Sequence, residues 1–96
     1  MTWIETTGPD KATGKLADYY GQLNGQFPSE YSQPVPALAR ADGSVDSIVA
    51  AHSLIPEALH HALSTLVVLQ SPELPLSRRQ QEMIATVVSA LNHCYY

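Results

Sequence analysis

The sequence predicts an all-α fold, and three observations support this prediction. Apolar residues recur at spacings of three and four through most of the chain, which is the period of an amphipathic helix. Signals that start helices precede two of these segments, at Pro56 and at Ser77. No segment shows the alternation of apolar and polar residues that is typical of a half-buried strand. The length of 96 residues suits one small domain.

Composition and charge exclude several classes of function. Apolar residues make up 45% of the chain and charged residues 15%, which is too apolar for intrinsic disorder. The net charge is −4 and the five Lys and Arg residues are scattered, so we expect no nucleic-acid partner. The start lacks the pattern of a signal peptide, and the stretch "ALSTLVVL" is too short to span a bilayer. A single cysteine excludes an internal disulfide, and a cytoplasmic location is the default expectation.

The first element is predicted as an N-terminal helix within residues 1–24. Pro9 suits the first helical position, and Asp10 favours the positive end of the helix dipole. Gly25 is expected to end the helix. Gly14 would then lie in the helix interior, where glycine costs roughly 1 kcal/mol against alanine. The apolar positions at helical spacing are Ala12, Leu16, Tyr19, Tyr20 and Leu23.

Residues 25–43 are predicted as a proline-rich loop followed by a short turn. Pro28, Pro34 and Pro36 forbid a regular helix or a central strand there. A brief helical turn is expected over residues 37–41. Asp42 or Ser44 can then cap the next helical segment.

Residues 44–96 are predicted as helices that lead to the cysteine. Pro56 starts a helix with Glu57 in its first turn, and the "SPELP" stretch is a turn. The second half of the Pro56 helix is apolar on nearly every side, so we expect it to be deeply buried or to lie at a subunit interface.

The last helix begins with a capping box formed by Ser77 and Gln80. Arg78 and Arg79 lie where the helix dipole disfavours cations, so they are tolerated rather than helpful. The apolar stripe of this helix comprises Met83, Ile84, Val87, Val88 and Leu91.

The C-terminal stretch "LSRRQQEMIATVVSALNHCYY" resembles the AhpD-like, peroxidase-related branch of the carboxymuconolactone decarboxylase superfamily. That branch carries a Glu, a Cys twelve residues later, a second Cys that completes Cys-x-x-Cys, and a His four residues further on. Glu82 and Cys94 have this spacing, and "SALNHC" is typical of the approach to the first cysteine. The segment "TTGPDKATGKLADYYGQL" and the proline-rich loop are similar to the N-terminal part of that branch.

The resemblance implies the N-terminal portion of an AhpD-like helical fold and an antioxidant enzyme that reduces alkyl hydroperoxides through a Cys pair. Cys94 would be the first thiol and Glu82 the proton-relay carboxylate. The implied partners are a hydroperoxide substrate, a thiol reductant or lipoyl-type donor, and further copies of the chain in a homo-oligomer, with no cofactor. The second Cys and the His would follow Tyr96, so we expect residues 1–96 alone to turn over poorly.

Helix geometry sets a condition on this proposed site. On one continuous helix, Glu82 and Cys94 would lie ~18 Å apart along the axis and ~120° apart around it. The chain must therefore turn before Cys94 if the carboxylate is to serve the thiol. Asn92 is a favourable N-cap for a new helix, which would place Cys94 at its second position. A thiol there lies beside unsatisfied N–H groups that stabilise thiolate.

Other interpretations remain open from the sequence. A decarboxylase-type lyase would act on a lactone acid without redox chemistry, and a non-catalytic helical segment would serve oligomerisation. Cys94 alone is also consistent with a small buried residue, and Glu82 with a solvated one. We expect no metal site at His52, His60 or His61, because no carboxylate or cysteine stands three or four residues after the adjacent pair. His93 is expected to face away from Cys94. Tyr95 and Tyr96 are expected to pack around the thiol or to line a substrate approach, and an inert packing role is equally consistent with the sequence.

Overall fold

The computed structural model describes residues 3–31, 33, 35–37, 40, 41, 44 and 47–94. These residues form helices and turns, without a strand among them, so the all-α prediction is confirmed. The four α-helices are α1 (Gly14–Gln26), α2 (Ser47–Ala51), α3 (Pro56–Leu69) and α4 (Arg78–Leu91). Short 3-10 turns cover Ser29–Tyr31 and His52–Leu54. Across the described ranges, none of the helices combines the length and apolar character needed to cross a bilayer.

The first helix begins later than Pro9, so that prediction is wrong. Residues 8–12 form a turn instead, in which the Lys11 amide donates to the Gly8 carbonyl over 3.1 Å. Thr13 is extended, and Gly14 has a φ of +57°, a left-handed value that favours glycine. Gly14 is therefore the residue at which the chain changes direction into α1. The helix continues past Gly25 to Gln26 and ends before Pro28, which cannot continue it.

The core lies between α1 and α3. Its buried members are Leu16, Tyr20, Leu23, Leu59 and Leu63. Leu59 is fully buried, at 0% exposure. Apolar residues from one face of each helix thus meet as the spacing predicts, and this contact positions the rest of the described chain.

The two core helices run in the same direction. Near their beginnings, the Lys15 ammonium lies 3.1 Å from the Glu57 carboxylate. One turn further on, the Tyr19 and His60 rings stack with their centroids 4.5 Å apart. Near the end of α1, the Ser64 hydroxyl donates to the Gln26 side chain over 3.3 Å. Helices in this arrangement need a long connection, which residues 27–55 provide.

The N-terminal segment is tied to this core by two hydrogen bonds. The Tyr20 hydroxyl donates to the Thr7 carbonyl over 2.8 Å, and the Thr7 amide donates to the buried Ser53 hydroxyl over 2.9 Å. Burial raises the pKa of Tyr20, because the anionic form is poorly solvated there. These bonds join residues before α1 to the turn before α3.

The proline-rich connection contains the single 3-10 turn over Ser29–Tyr31 in its described part, closed by a 2.9 Å bond from the Tyr31 amide to the Pro28 carbonyl. The helical turn predicted over 37–41 lies partly outside the described residues. The cap predicted at Asp42 also lies outside them. The next described helix is α2, from Ser47 to Ala51.

Pro56 occupies the first turn of α3 with Glu57 beside it, as predicted. The second half of α3 is not deeply buried, because Val68 and Leu69 are 63% and 61% exposed. The prediction of deep burial is therefore wrong for the single chain. The alternative, a subunit interface, stays a prediction.

The start of α4 is confirmed in detail. The Gln80 amide donates to the Ser77 hydroxyl over 3.3 Å, and the Ser77 amide donates to the Gln80 side chain over 2.9 Å. This reciprocal pair satisfies two amides that the helix itself leaves without partners. None of the residues of α4 is buried.

Candidate functional site at the end of helix α4

The last helix ends in a turn that reverses the chain just before Cys94. Asn92 is the C-cap of α4, with φ −85° and ψ 3°. His93 follows with a φ of 51°. The His93 amide donates to the Ala90 carbonyl over 3.2 Å, and the Cys94 amide donates to the Ser89 carbonyl over 2.9 Å. These are the two hydrogen bonds of a Schellman motif, which satisfies carbonyls at a helix C-terminus.

The predicted turn before Cys94 is therefore present, but the role predicted for Asn92 is wrong. An N-cap residue has an extended backbone, whereas Asn92 lies close to the helical region and closes α4. Residues 95 and 96, including the packing predicted for the two tyrosines, lie outside the described residues. Stabilisation of a thiolate by a new helix N-terminus thus has no support among the described residues.

Cys94 is a free, exposed thiol that borders an open groove of about 420 Å³. The residues lining the groove are Glu82, Ala85, Thr86, Ser89, Ala90 and Cys94. The five helical members lie on one side of α4, and four of them have small side chains that leave room for a ligand. The turn at His93 returns Cys94 to this side, where both predicted site residues share one surface.

The groove does not bring the two predicted site residues into direct contact. Nine residues of helix separate Glu82 from Leu91, which corresponds to about 14 Å along the axis. The carboxylate therefore lies near the start of α4 and the thiol near its end. Proton transfer between them must pass through water or through a bound molecule.

Arg78 lies beside the Glu82 side chain at the near end of the groove. The Arg78 Nε atom lies 3.7 Å from Glu82 Oε1, and both side chains are about half exposed. An exposed pair of this kind contributes little to stability. The pair places the two charges side by side at the start of α4.

Arg78 itself is fixed by the loop before α2, a role that the sequence reasoning missed. Its Nη1 atom donates to the Glu30 carbonyl over 2.6 Å, and its guanidinium lies 4.4 Å from the centre of the Tyr31 ring. Desolvation raises the pKa of Tyr31, and the Glu82 carboxylate raises it further. In the sequence, the only indication of a role for Arg78 is its position four residues before Glu82, and such pairs are common on helices.

Gln81 supplies two further links between α4 and the rest of the chain. The Tyr31 hydroxyl donates to Gln81 Oε1 over 2.9 Å, and Gln81 Nε2 donates to the Leu69 carbonyl over 3.4 Å. Together with Arg78, these contacts attach the first turn of α4. The groove and Cys94 lie beyond this attachment.

The histidines have local structural roles. His60 stacks on Tyr19, and the His60 and His61 rings lie 5.1 Å apart at 60°. His52 Nδ1 lies 2.7 Å from the Ile48 carbonyl. His93 adopts the left-handed conformation of the turn, in which histidine is more frequent than most residues. Within the described part of the chain, no three His, Cys, Asp or Glu residues are placed to hold a metal ion.

Comparison with known proteins identifies no relative of this chain. No family model matches the chain, and neither a curated protein nor a solved structure matches it. The AhpD-like resemblance therefore stays a prediction, based on the spacing of Glu82 and Cys94 and on the sequence around them.

Proposed function

We propose that this protein is an AhpD-like thiol peroxidase in which Cys94 reduces alkyl hydroperoxides. The observation that supports the proposal is the turn at Asn92 and His93, which leaves Cys94 exposed on the groove that Glu82 also lines. A buried cysteine at the end of a continuous helix would have opposed it. An accessible thiol is the first requirement for attack on a peroxide.

The chemistry begins with the Cys94 thiolate. Its sulfur attacks one peroxide oxygen, the O–O bond breaks, and the sulfur is oxidised to sulfenic acid while the peroxide is reduced to an alcohol. The net step is Cys–SH plus ROOH giving Cys–SOH plus ROH. The proton lost by the thiol is the one that the leaving alkoxide gains, so the step needs no additional acid.

Glu82 is the proton relay in this proposal. Because the carboxylate and the thiol lie at opposite ends of the groove, the proton moves through water or through the bound peroxide in the space between them. The Arg78 guanidinium lies 3.7 Å from this carboxylate, on the side away from Cys94. The small side chains of Ala85, Ser89 and Ala90 leave space for the alkyl part of the peroxide.

The sulfenic acid returns to thiol at the expense of a reductant. Two external thiols, or one dithiol of lipoyl type, convert Cys–SOH to Cys–SH and leave as a disulfide, with release of water. A second cysteine of the Cys-x-x-Cys type would perform the first of these two steps within the same protein. The reducing cytoplasm is the compartment that suits this cycle.

The proposal is tested by exposing the protein to tert-butyl hydroperoxide and trapping sulfenic acid with dimedone, followed by mass spectrometry. We expect Cys94→Ser to abolish trapping. Glu82→Gln should slow sulfenic acid formation about tenfold, since a relayed proton transfer contributes less than the full effect of a direct general base. Glu73→Gln is the matched control, because Glu73 lies in the exposed turn before α4 and should leave the rate unchanged.

Two outcomes would contradict the proposal. One is a Cys94 thiol that reacts with the hydroperoxide no faster than a free cysteine derivative at the same pH. The other is turnover of a lactone acid that survives Cys94→Ser, which would indicate the decarboxylase-type alternative. If the wild type reacts faster than the free cysteine derivative and Glu82→Gln reacts as fast as the wild type, Cys94 is the reactive thiol and Glu82 has no part in the mechanism.

A further inference from the structure

The segment before α1 is bonded to buried side chains through both ends of one residue. We call residues 3–13 the strap. The Thr7 amide donates to the Ser53 hydroxyl over 2.9 Å, and the Thr7 carbonyl accepts from the Tyr20 hydroxyl over 2.8 Å. Tyr20 and Ser53 are only 4% and 5% exposed, and they lie in different elements, α1 and the 3-10 turn before α3. One residue of the strap therefore joins two elements and covers two hydroxyls.

Much of the strap lies at the surface. Trp3 is fully exposed, and the turn over residues 8–12 has exposed side chains at Pro9, Asp10 and Lys11. Ala12 is partly buried against the edge of the core. Closing the strap thus buries little apolar surface, whereas ordering each of its residues has an entropic cost. A segment with few buried contacts opens at a lower free energy than the core does.

Gly14 joins the strap to α1 and has the properties of a pivot. Its φ of +57° is left-handed, and the residue before it, Thr13, is extended. Glycine adopts left-handed and right-handed values with similar ease, so a rotation at this one residue has little steric cost. Among the described residues, no neighbouring atom lies within 4 Å of the place where a Cβ of Gly14 would stand. The chain therefore has room to rotate here without a clash.

The contact between the core helices does not depend on the strap. The buried core residues in the described part of the chain all belong to α1 and α3, namely Leu16, Tyr20, Leu23, Leu59 and Leu63. The ion pair of Lys15 and Glu57 also joins these two helices, over 3.1 Å. When the strap moves away, the helices keep these contacts and lose only the edge of the core at Ala12.

We propose that the strap is a local opening unit, which swings away about Gly14 while α1 and α3 stay packed. Opening exposes the Tyr20 hydroxyl, which is a donor, and the Ser53 hydroxyl, which is an acceptor. In the closed state these groups bind the C=O and the N–H of Thr7, so their spacing fits one residue of polypeptide backbone. The strap thereby controls whether another molecule has access to the pair.

This inference does not rest on the thiol chemistry. The strap, Tyr20 and Ser53 belong to the part of the chain before α3, whereas Glu82 and Cys94 lie on α4 and in the turn after it. A protein whose Cys94 is unreactive toward hydroperoxides would leave the proposed opening unaffected.

Hydrogen exchange at increasing urea, below the unfolding transition, tests the proposal in the wild type. We expect exchange of the Thr7 amide to depend weakly on urea, because opening of the strap exposes little surface. Exchange of the Leu63 amide should depend strongly on urea, because it requires separation of the core helices. Equal urea dependence of the two amides would show that strap and core open together, and would overturn the proposal.

A core variant gives the same distinction without denaturant. Leu59→Ala should accelerate exchange of the Leu63 amide about a hundredfold, since a fully buried leucine is lost. The Thr7 amide should exchange at the wild-type rate. Tyr20→Phe removes the bond to the Thr7 carbonyl and should accelerate exchange at the Thr7 amide about fivefold, although the acceptor of that amide is still present. A Thr7 rate that rises in Leu59→Ala as much as the Leu63 rate would contradict local opening.

Two glycine substitutions test the pivot. Gly14→Ala should accelerate exchange of the Thr7 amide about tenfold, because an alanine is strained at a left-handed φ and the open strap releases that strain. Gly21→Ala is the matched control. A Cβ at Gly21 also has no described atom within 4 Å, but Gly21 lies inside α1 without a positive φ, so the Thr7 rate should not increase. Equal Thr7 rates in Gly14→Ala and the wild type would overturn the assignment of the pivot.

Limited proteolysis with an enzyme that cleaves after lysine gives an independent measurement. The chain has two lysines, Lys11 in the strap and Lys15 in the first turn of α1. Initial cleavage should be faster at Lys11, because the open strap presents it as an unfolded segment. Leu59→Ala should accelerate cleavage at Lys15 and leave the rate at Lys11 unchanged. Equal initial rates at the two lysines in the wild type would contradict the proposal.

Discussion

Two residues with left-handed backbones lie at the start of α1 and at the end of α4. Gly14, at φ +57°, joins the extended Thr13 to α1, and glycine accepts this value without steric cost. His93, at φ 51°, reverses the chain after α4 although a side chain there costs about 1 kcal/mol. The two hydrogen bonds of the turn offset that cost. Cys94 owes its place on the groove to this conformation.

Tyr20 provides a pH prediction at the residue scale. Burial raises the pKa of its phenol in the folded state, so the unfolded chain loses the proton first as the pH rises. Its contribution to stability is therefore complete below the ordinary tyrosine pKa of about 10 and is lost as the pH rises through the folded value. Urea unfolding should show stability falling in this range, and Tyr20→Phe should make the fall smaller.

The same substitution has a cost at neutral pH. The phenylalanine variant loses the hydrogen bond to the Thr7 carbonyl, which we expect to lower the free energy of unfolding by about 1 kcal/mol. Tyr19→Phe, at the neighbouring position of α1, serves as the control and should retain the fall at high pH. If the stability of Tyr20→Phe falls at high pH as much as that of the wild type, Tyr20 is not the group whose ionisation causes the fall.

At the scale of elements, the contact between α1 and α3 carries the core, and Leu59 is its centre. Leu59→Ala should lower the free energy of unfolding by about 3 kcal/mol, because a fully buried leucine loses its contacts and leaves a cavity. A small domain has only about 5–10 kcal/mol of stability, so this loss should be evident as a lower midpoint in urea.

Leu66→Ala is the matched control on the same helix. Leu66 is 41% exposed, so its truncation should cost clearly less than that of Leu59. Equal losses from the two variants would indicate that Leu66 is buried in solution and that the core extends further along α3.

The start of a helix could be predicted where the residues at its N-terminus are favourable there and unfavourable elsewhere. Pro56 and the Ser77–Gln80 capping box each satisfy or remove amides that a helix start leaves unpaired, and both helices begin there. Pro9 and Asp10 carry similar signals but are equally suited to a turn, and the turn forms instead. Local signals alone could not decide between these outcomes, because Gly14 redirects the chain four residues after Asp10.

The candidate site was predictable in part. The need for a turn before Cys94 followed from helix geometry, since a straight helix would hold Glu82 and Cys94 far apart on different faces. The form of the turn was not predictable, because a left-handed histidine is uncommon and Asn92 suits either end of a helix. The role of Arg78 was hidden as well, since its contacts with Glu30 and Tyr31 join residues 48 and 47 positions apart.

At the scale of the whole molecule, the shared direction of α1 and α3 has a consequence for folding kinetics. Lys15 and Glu57 meet across 42 positions of sequence, so neither core helix finds its partner until the intervening chain has closed. Contacts of such long range slow folding relative to a bundle of adjacent antiparallel helices. Once the loop is closed, its length matters little, because doubling a flexible connection costs only about 0.6 kcal/mol. Insertions in the proline-rich stretch should therefore slow refolding and lower the native stability by similar, small free energies, which refolding kinetics and urea unfolding measure.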